Sequence, residues 1–188
     1  MAPRLWAPPK AQYLALKDLG RQIQRLTRDS VRAKNRLHAF KSKQSTASIL
    51  IEDVSESIQQ YEKRIARLTQ AALALISQDQ ALQCHFNNMQ AEKGIGQASA
   101  ISILAEFVVL PNEMKAKQVS RHAGMDVKLS QSGSSVNGAS RISKAGNAYL
   151  RSALYMPAIS ASQHDEHVKV FKDTLVLRGK RKSKPTWR

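Results

Sequence analysis

The amino-acid sequence predicts a mainly α-helical protein: a long antiparallel coiled-coil hairpin, then a small helical domain containing a helix-hairpin-helix element. Three observations predict it. Two stripes of apolar residues recur at alternating steps of three and four, the spacing that keeps one side of a helix apolar at a 3.5-residue period. A short polar stretch separates them. Beyond the second stripe the chain changes to Ala- and Ile-rich segments punctuated by glycine and proline.

Residues 1–9 include Pro3, Pro8 and Pro9, which hold off helix formation until the last of them. The first stripe is Leu16, Leu19, Ile23, Leu26, Ser30, Ala33, Leu37 and Phe40, with Ser30 its one polar member and Arg, Lys, Gln and Asp between. The second is Ile51, Val54, Ile58, Tyr61, Ile65, Leu68, Ala72 and Leu75. Residues 41–48 lie between them, with Ser45 or Ser48 as candidate caps for the second helix and Glu52 and Asp53 near its positive end. Folded back on each other, the helices form a hairpin about 40–50 Å long. Either the stripes pack only on each other, or they also dimerise the protein.

Leu82, Phe86 and Met89 mark a short helix within 77–92. A Gly-Ile-Gly turn then leads into an apolar helix from about Gln97, with positions 100, 101, 103, 104, 107 and 108 facing a core and Pro111 as its stop. Residues 113–122 form a further short helix ended by Gly124. Six serines between 130 and 143 mark a loop that accommodates a β-hairpin. A helix begins near 144–147 and runs through Leu150, Leu154 and Ile159, and another covers 165–177. The expected organisation is a Pro-rich leading segment (1–9), the coiled-coil hairpin (10–79), a nucleic-acid-binding domain (80–177) and a basic tail (178–188).

Lys and Arg number 30 against 14 Asp and Glu, for a net charge of +16. So basic a chain points to a polyanionic partner, nucleic acid first and an anionic membrane surface second. The single cysteine, Cys84, forms no disulfide within the chain and fits a reducing compartment. No apolar run approaches the ~18–20 residues of a membrane span, and the start lacks the apolar core of a signal peptide. The expected location is the cytoplasm, associated with the nucleoid when bound to DNA.

Two motifs carry the expected chemistry. In Lys93-Gly94-Ile95-Gly96, glycine permits close backbone approach, and amides at the next helix start can bind a phosphate oxygen. Read blandly, it is a helix connector. The second motif runs from Gln131-Ser132-Gly133-Ser134-Ser135 to Arg141-Ile142-Ser143-Lys144-x-Gly146-Asn147-x-x-Leu150-Arg151. Its hydroxyls and amides can cradle a phosphate that Arg141, Lys144 and Arg151 neutralise, and a serine there can attack a phosphodiester. The bland reading is a flexible Ser/Gly loop. His164 and His167 lack a further metal ligand and read as an exposed helix turn; His38, His85 and His122 are isolated. No metal site is expected in this chain.

The second motif, continued by Leu154-Tyr155-Met156 and preceded by Gly94-Ile95-Gly96-x-x-x-Ala100 and His122-Ala123-Gly124, resembles the C-terminal domain of the insertion-sequence one-ten/one-sixteen transposases. These are DEDD-type recombinases related to the Piv pilin invertase. Trp6-Ala7-Pro8-Pro9 and Arg32-Ala33-Lys34-Asn35-Arg36-Leu37-His38 resemble the stretch entering that family's coiled coil. The resemblance implies DNA transposition by site-specific recombination, with Ser132 as nucleophile and Ser134 and Ser135 as alternates. Lys93, Gly94, Gly96, Arg141, Lys144, Asn147 and Arg151 would bind nucleic-acid backbone. It further implies a structured guide RNA, oligomer contacts through the coiled coil, and a RuvC-like domain whose four acids hold magnesium. Those acids are not in this chain, so it is expected to be a truncated transposase with little recombination alone and no cofactor of its own. The alternative is a non-catalytic nucleic-acid binder, or a dominant-negative partner of a full-length transposase; a third reading is a plain coiled-coil scaffold.

Overall fold

The computed structural model describes residues 8–111, 113–132 and 136–178, with the backbone alone over 129–132 and 136–140. Helix α1 (Ala11–Lys41) opens the described chain directly after Pro8, Pro9 and Lys10. Helix α2 (Ser48–Ser77) runs back along it. At 31 residues, α1 is about 46 Å long. Near the tip, Ala33, Val54 and Ile58 pack together with Leu37, Phe40 and Tyr61 around them. At the base, Leu16 and Ile23 meet Ala72 and Ile76, which fixes the antiparallel sense. Every member of both predicted stripes is buried or half-buried, Ser30 included.

The connection differs from the expectation in one respect. Neither Ser45 nor Ser48 caps α2: the capping residue is Ala47, which offers no side-chain acceptor, and Ser48 is already helical. Thr46 turns back instead, its hydroxyl donating to the Phe40 carbonyl at 2.9 Å and closing the end of α1. Glu52 and Asp53 fall in the second turn of α2, where the dipole's influence has faded.

Asp79 caps α3 (Gln80–Ala91), accepting from the amides of Ala81 and Leu82 at 2.9 and 3.2 Å. Those amides hold the Asp79 carboxyl below its ordinary value, with the Leu82 bond the larger cause. Helix α4 (Gln97–Phe107) follows the glycine turn and is buried from Ala100 to Glu106. It ends at Phe107, before Pro111, so Phe107 and Val108 are only half-buried. Helix α5 (Ala116–His122) leads to β1 (Val127–Ser132) and β2 (Val136–Ile142), an antiparallel ribbon with a register shift between Lys128 and Ser130. Helices α6 (Ala148–His164) and α7 (Glu166–Leu177) complete the described chain, α6 capped by Asn147 and α7 by Asp165.

One core joins what the sequence divides at residue 79. Leu16 and Ile23 of α1, Ala72 and Ile76 of α2, Leu82 and Phe86 of α3, and Ala100, Ile101, Leu104 and Ala105 of α4 form a single buried cluster. The base of the helix pair therefore belongs to the same hydrophobic unit as the following helices. Gly20 makes this close: a Cβ there would lie 2.5 Å from that of Ala105. Among the described residues no helix is long and apolar enough to cross a membrane.

Candidate functional site

The junction of α1, α4 and α6 holds a concentrated polar network. Glu106 is 1% exposed, in the last turn of the largely apolar helix α4. A carboxylate so placed requires charge and hydrogen-bond compensation. Arg21 of α1 supplies it through two bonds, Nε to Oε1 at 2.6 Å and Nη2 to Oε2 at 3.0 Å. Asn147 Nδ2 donates a third to Oε2 at 2.6 Å. Burial pushes the Glu106 carboxyl up, but the Arg21 and Asn147 bonds and the charges of Arg21 and Lys17 together hold it below its ordinary value. The Glu106 bond in turn raises Arg21 above the usual arginine value.

Tyr149, two residues past Asn147, extends the network outward. The guanidinium groups of Arg21, Arg25 and Arg28 lie 4.7, 5.6 and 5.4 Å from its ring centre. Arg25 Nε also donates to the Tyr149 hydroxyl at 2.8 Å. Each contact with the ring face is worth about 0.5–1 kcal/mol at an exposed position. Arg21 is neutralised by Glu106; among the described residues neither Arg25 nor Arg28 has an ion-pair partner. Steps of four and three set Arg21, Arg25, Arg28 and Arg32 along one face of α1, and Arg32 pairs with Asp29 at 3.2 Å. The outcome is an exposed cationic row held in shape by an aromatic ring and a buried carboxylate.

The residues singled out from the sequence fall in three places. Lys93, Gly94 and Gly96 lie in the α3–α4 turn. Gly94 has φ +97°, and a Cβ there would stand 2.9 Å from the Ala161 nitrogen and 3.0 Å from the Pro157 oxygen, so it lets the turn lie against α6. Gly96 faces open space and begins α4 without a side-chain cap, while Lys93 is exposed beside it. Arg141 and Lys144 are exposed at the base of the ribbon, Lys144 with φ +54°. Asn147 and Arg151 have internal partners. Asn147 Oδ1 accepts from the Tyr149 and Leu150 amides, which occupies donors a phosphate would use, and Arg151 Nη1 donates to the Ala123 carbonyl at 2.6 Å. Ser132 ends β1, its side chain outside the description; Ser134 and Ser135 lie outside the described residues, as does the basic tail from 179.

The sequence reading missed Arg21, Arg25, Arg28, Glu106 and Tyr149. The four-three-four arginine spacing was visible, but such a row on a heptad helix resembles an ordinary solvated face. Its ring partner stands 124 residues from Arg25 along the chain. Among the described residues no three His, Cys, Asp or Glu side chains converge as a metal would require. The residues present therefore do not fit the magnesium site that the resemblance places in a RuvC-like domain.

A basic helix pair built into the core of a small helical domain defines the class: an α-helical module with a preorganised cationic surface. Residues 87–173 match the family model described as Transposase IS116/IS110/IS902 family, so this part of the chain is similar to that transposase family. The match takes in α4 to α6, the turn before them and most of α7. The chain is also similar to the pilin gene-inverting proteins of Moraxella lacunata and Moraxella bovis, each 26% identical over 161 residues, which is 85% of this chain and 48% of the relative. The chain thus spans about half the length of the curated relatives it matches.

Proposed function

We propose that this chain holds DNA for transposition by site-specific recombination, with the arginine row of α1 as its principal grip on the phosphate backbone. The observation that carries this reading is the convergence of Arg21, Arg25 and Arg28 on Tyr149. Arginine forks match phosphate geometry, and a guanidinium already ordered by stacking loses less freedom on binding. The family match at residues 87–173 supports DNA as the polyanion. Lys93, Arg141 and Lys144 would add contacts, and Gly96 leaves backbone amides accessible at the start of α4. These contacts carry no base information, so a structured guide RNA, which the resemblance implies, would supply target choice.

The strand-exchange chemistry proposed for Ser132 is nucleophilic. Its hydroxyl oxygen would bond to phosphorus as the bond to one deoxyribose oxygen breaks, and the departing sugar oxygen would take up a proton to leave a free hydroxyl. The helix pair would mediate contacts with a second copy or with a full-length transposase. Two measurements separate catalysis from binding alone. Replacing Arg25 and Arg28 by Gln weakens binding to a fluorescently labelled duplex if the row is the grip. A protein–DNA adduct that survives denaturation and persists in Ser132→Ala would remove that serine from the nucleophile role, and duplex binding with no adduct favours the non-catalytic binder.

A further inference from the structure

At the Arg21 end of the arginine row, where α1 meets the end of α4 and the start of α6, lies a cleft of about 770 Å³. Small-molecule sites span ~300–1,000 Å³ and combine a mostly apolar wall with a few placed polar groups. Leu14 of α1 and Val109 and Leu110, just past α4, form the apolar wall here. Leu14 belongs to neither buried cluster and is 42% exposed, so core packing does not account for it. Lys17, Arg21, His122 and Tyr149 add polar groups to the lining. Lys17 precedes Arg21 by one turn on the same face of α1, about 6 Å along the helix, and carries the row into the cleft. It is half-buried and, among the described residues, has no ion-pair partner. Within the lining, Lys17 and Arg21 stand against the single carboxylate of Glu106, already bound by Arg21, which leaves one positive charge in excess. The Glu106 bonds use Nε and Nη2 of Arg21 and leave Nη1 for a further acceptor.

We propose that this cleft takes the unpaired nucleotide beyond the last base pair of a duplex held on the arginine row. The inference rests on the nucleic-acid reading of that row. A duplex lies on an exposed face, but a cleft between helices admits one nucleotide and not a base pair. The phosphate of that nucleotide meets Lys17 and Nη1 of Arg21, and its base lies on Leu14 and Leu110 against the His122 ring. His122 is half-buried with its Nε2 3.5 Å from Asn147 Nδ2, which ties the ring to the network that holds Arg21. Base identity is not read: Glu106 and Asn147 are committed to internal bonds, and apolar and ring contacts serve every base. The occupant is therefore a strand end or a frayed nucleotide of any sequence, the structure that cutting and exchanging strands creates.

The test is fluorescence anisotropy of the full chain with labelled duplexes of one sequence: blunt, extended by one nucleotide at the 3′ or the 5′ end, and extended by one abasic residue with the same phosphate. The wild-type chain binds one of the two extended duplexes at least about 5-fold more tightly than its abasic counterpart, the lower end for one stacked base, whether the added base is adenine or thymine. Leu14→Gln, at an exposed position of α1, brings the natural and abasic extensions to the same affinity and keeps the wild-type helical content. Lys17→Gln, the second variant, weakens binding of the extended duplex by a larger factor than that of the blunt one. Natural and abasic extensions bound alike by the wild-type chain, or a difference that Leu14→Gln leaves unchanged, overturn the nucleotide cleft while leaving the arginine row intact. A gain confined to one base overturns its indifference to sequence. Failure of the wild-type chain to bind even the blunt duplex overturns the row itself.

Discussion

Replacing Glu106 by Gln removes the charge at the junction while keeping its shape, and the structure sets the cost. Glu106 accepts three bonds, at 2.6, 3.0 and 2.6 Å, and is 1% exposed. A glutamine presents an NH2 group to partners that are themselves donors, so at least one of the Arg21 and Asn147 bonds is lost and Arg21 keeps an uncompensated charge. Breaking a buried pair from one side costs about 3–5 kcal/mol. The Arg21 side chain is 29% exposed and recovers part of that from water, which places Glu106→Gln near ~3 kcal/mol. In urea, with a slope of about 1–3 kcal/mol per molar, the midpoint falls by roughly 1–3 M. Arg21→Met strands the carboxylate and costs at least as much, while the Arg21→Met/Glu106→Gln pair costs far less than the two single changes together. A coupling energy of about 1.5 kcal/mol or more is expected from this cycle. Additivity within about 0.5 kcal/mol would refute the claim that this bond joins α1 to α4.

Two further predictions concern stability. Gly94→Ala imposes φ +97° on a residue with a Cβ and drives that atom into the backbone of α6; it costs roughly 2–4 kcal/mol, whereas Gly96→Ala, which meets open space, stays within about 0.5 kcal/mol by thermal melting. Acid destabilises the protein: the Glu106, Asp79 and Asp165 carboxyls all titrate below their ordinary values, so their contribution is complete above the unfolded-state values near ~4 and is lost as pH falls through the lower folded-state values. Urea midpoints taken from pH 7 to pH 3 decline accordingly, and more gently in Glu106→Gln, which has already lost its share.

The helix pair was legible because a 3.5-residue apolar period is a local property, carried by sixteen positions that need no knowledge of their partner. The loop that holds the ribbon and the last two helices were legible from serines, glycines and apolar spacing, but His164 to His167, read as one exposed helix turn, is the break at which Asp165 ends α6 and caps α7. What stayed hidden is non-local. Glu106 sits in a segment that reads as uniformly apolar, and its burial becomes intelligible only when Arg21 arrives from 85 residues away. Asn147, expected from the resemblance to bind nucleic-acid backbone, instead has its side chain spanning the start of α6 and the buried carboxylate. One buried cluster crosses residue 79 because the lower turns of the hairpin bury the same stripe against α4 that the upper turns bury against each other.

The salt dependence of duplex binding tests the central claim most directly. If the arginine row holds phosphates, the logarithm of affinity falls linearly with the logarithm of salt concentration, and each phosphate contact contributes about −0.9 to the slope. Replacing Arg25 and Arg28 by Gln then flattens that slope by about 2 while the helical content is unchanged. Affinity that is level between ~50 and ~200 mM salt, or a slope the double replacement leaves untouched, would contradict the account.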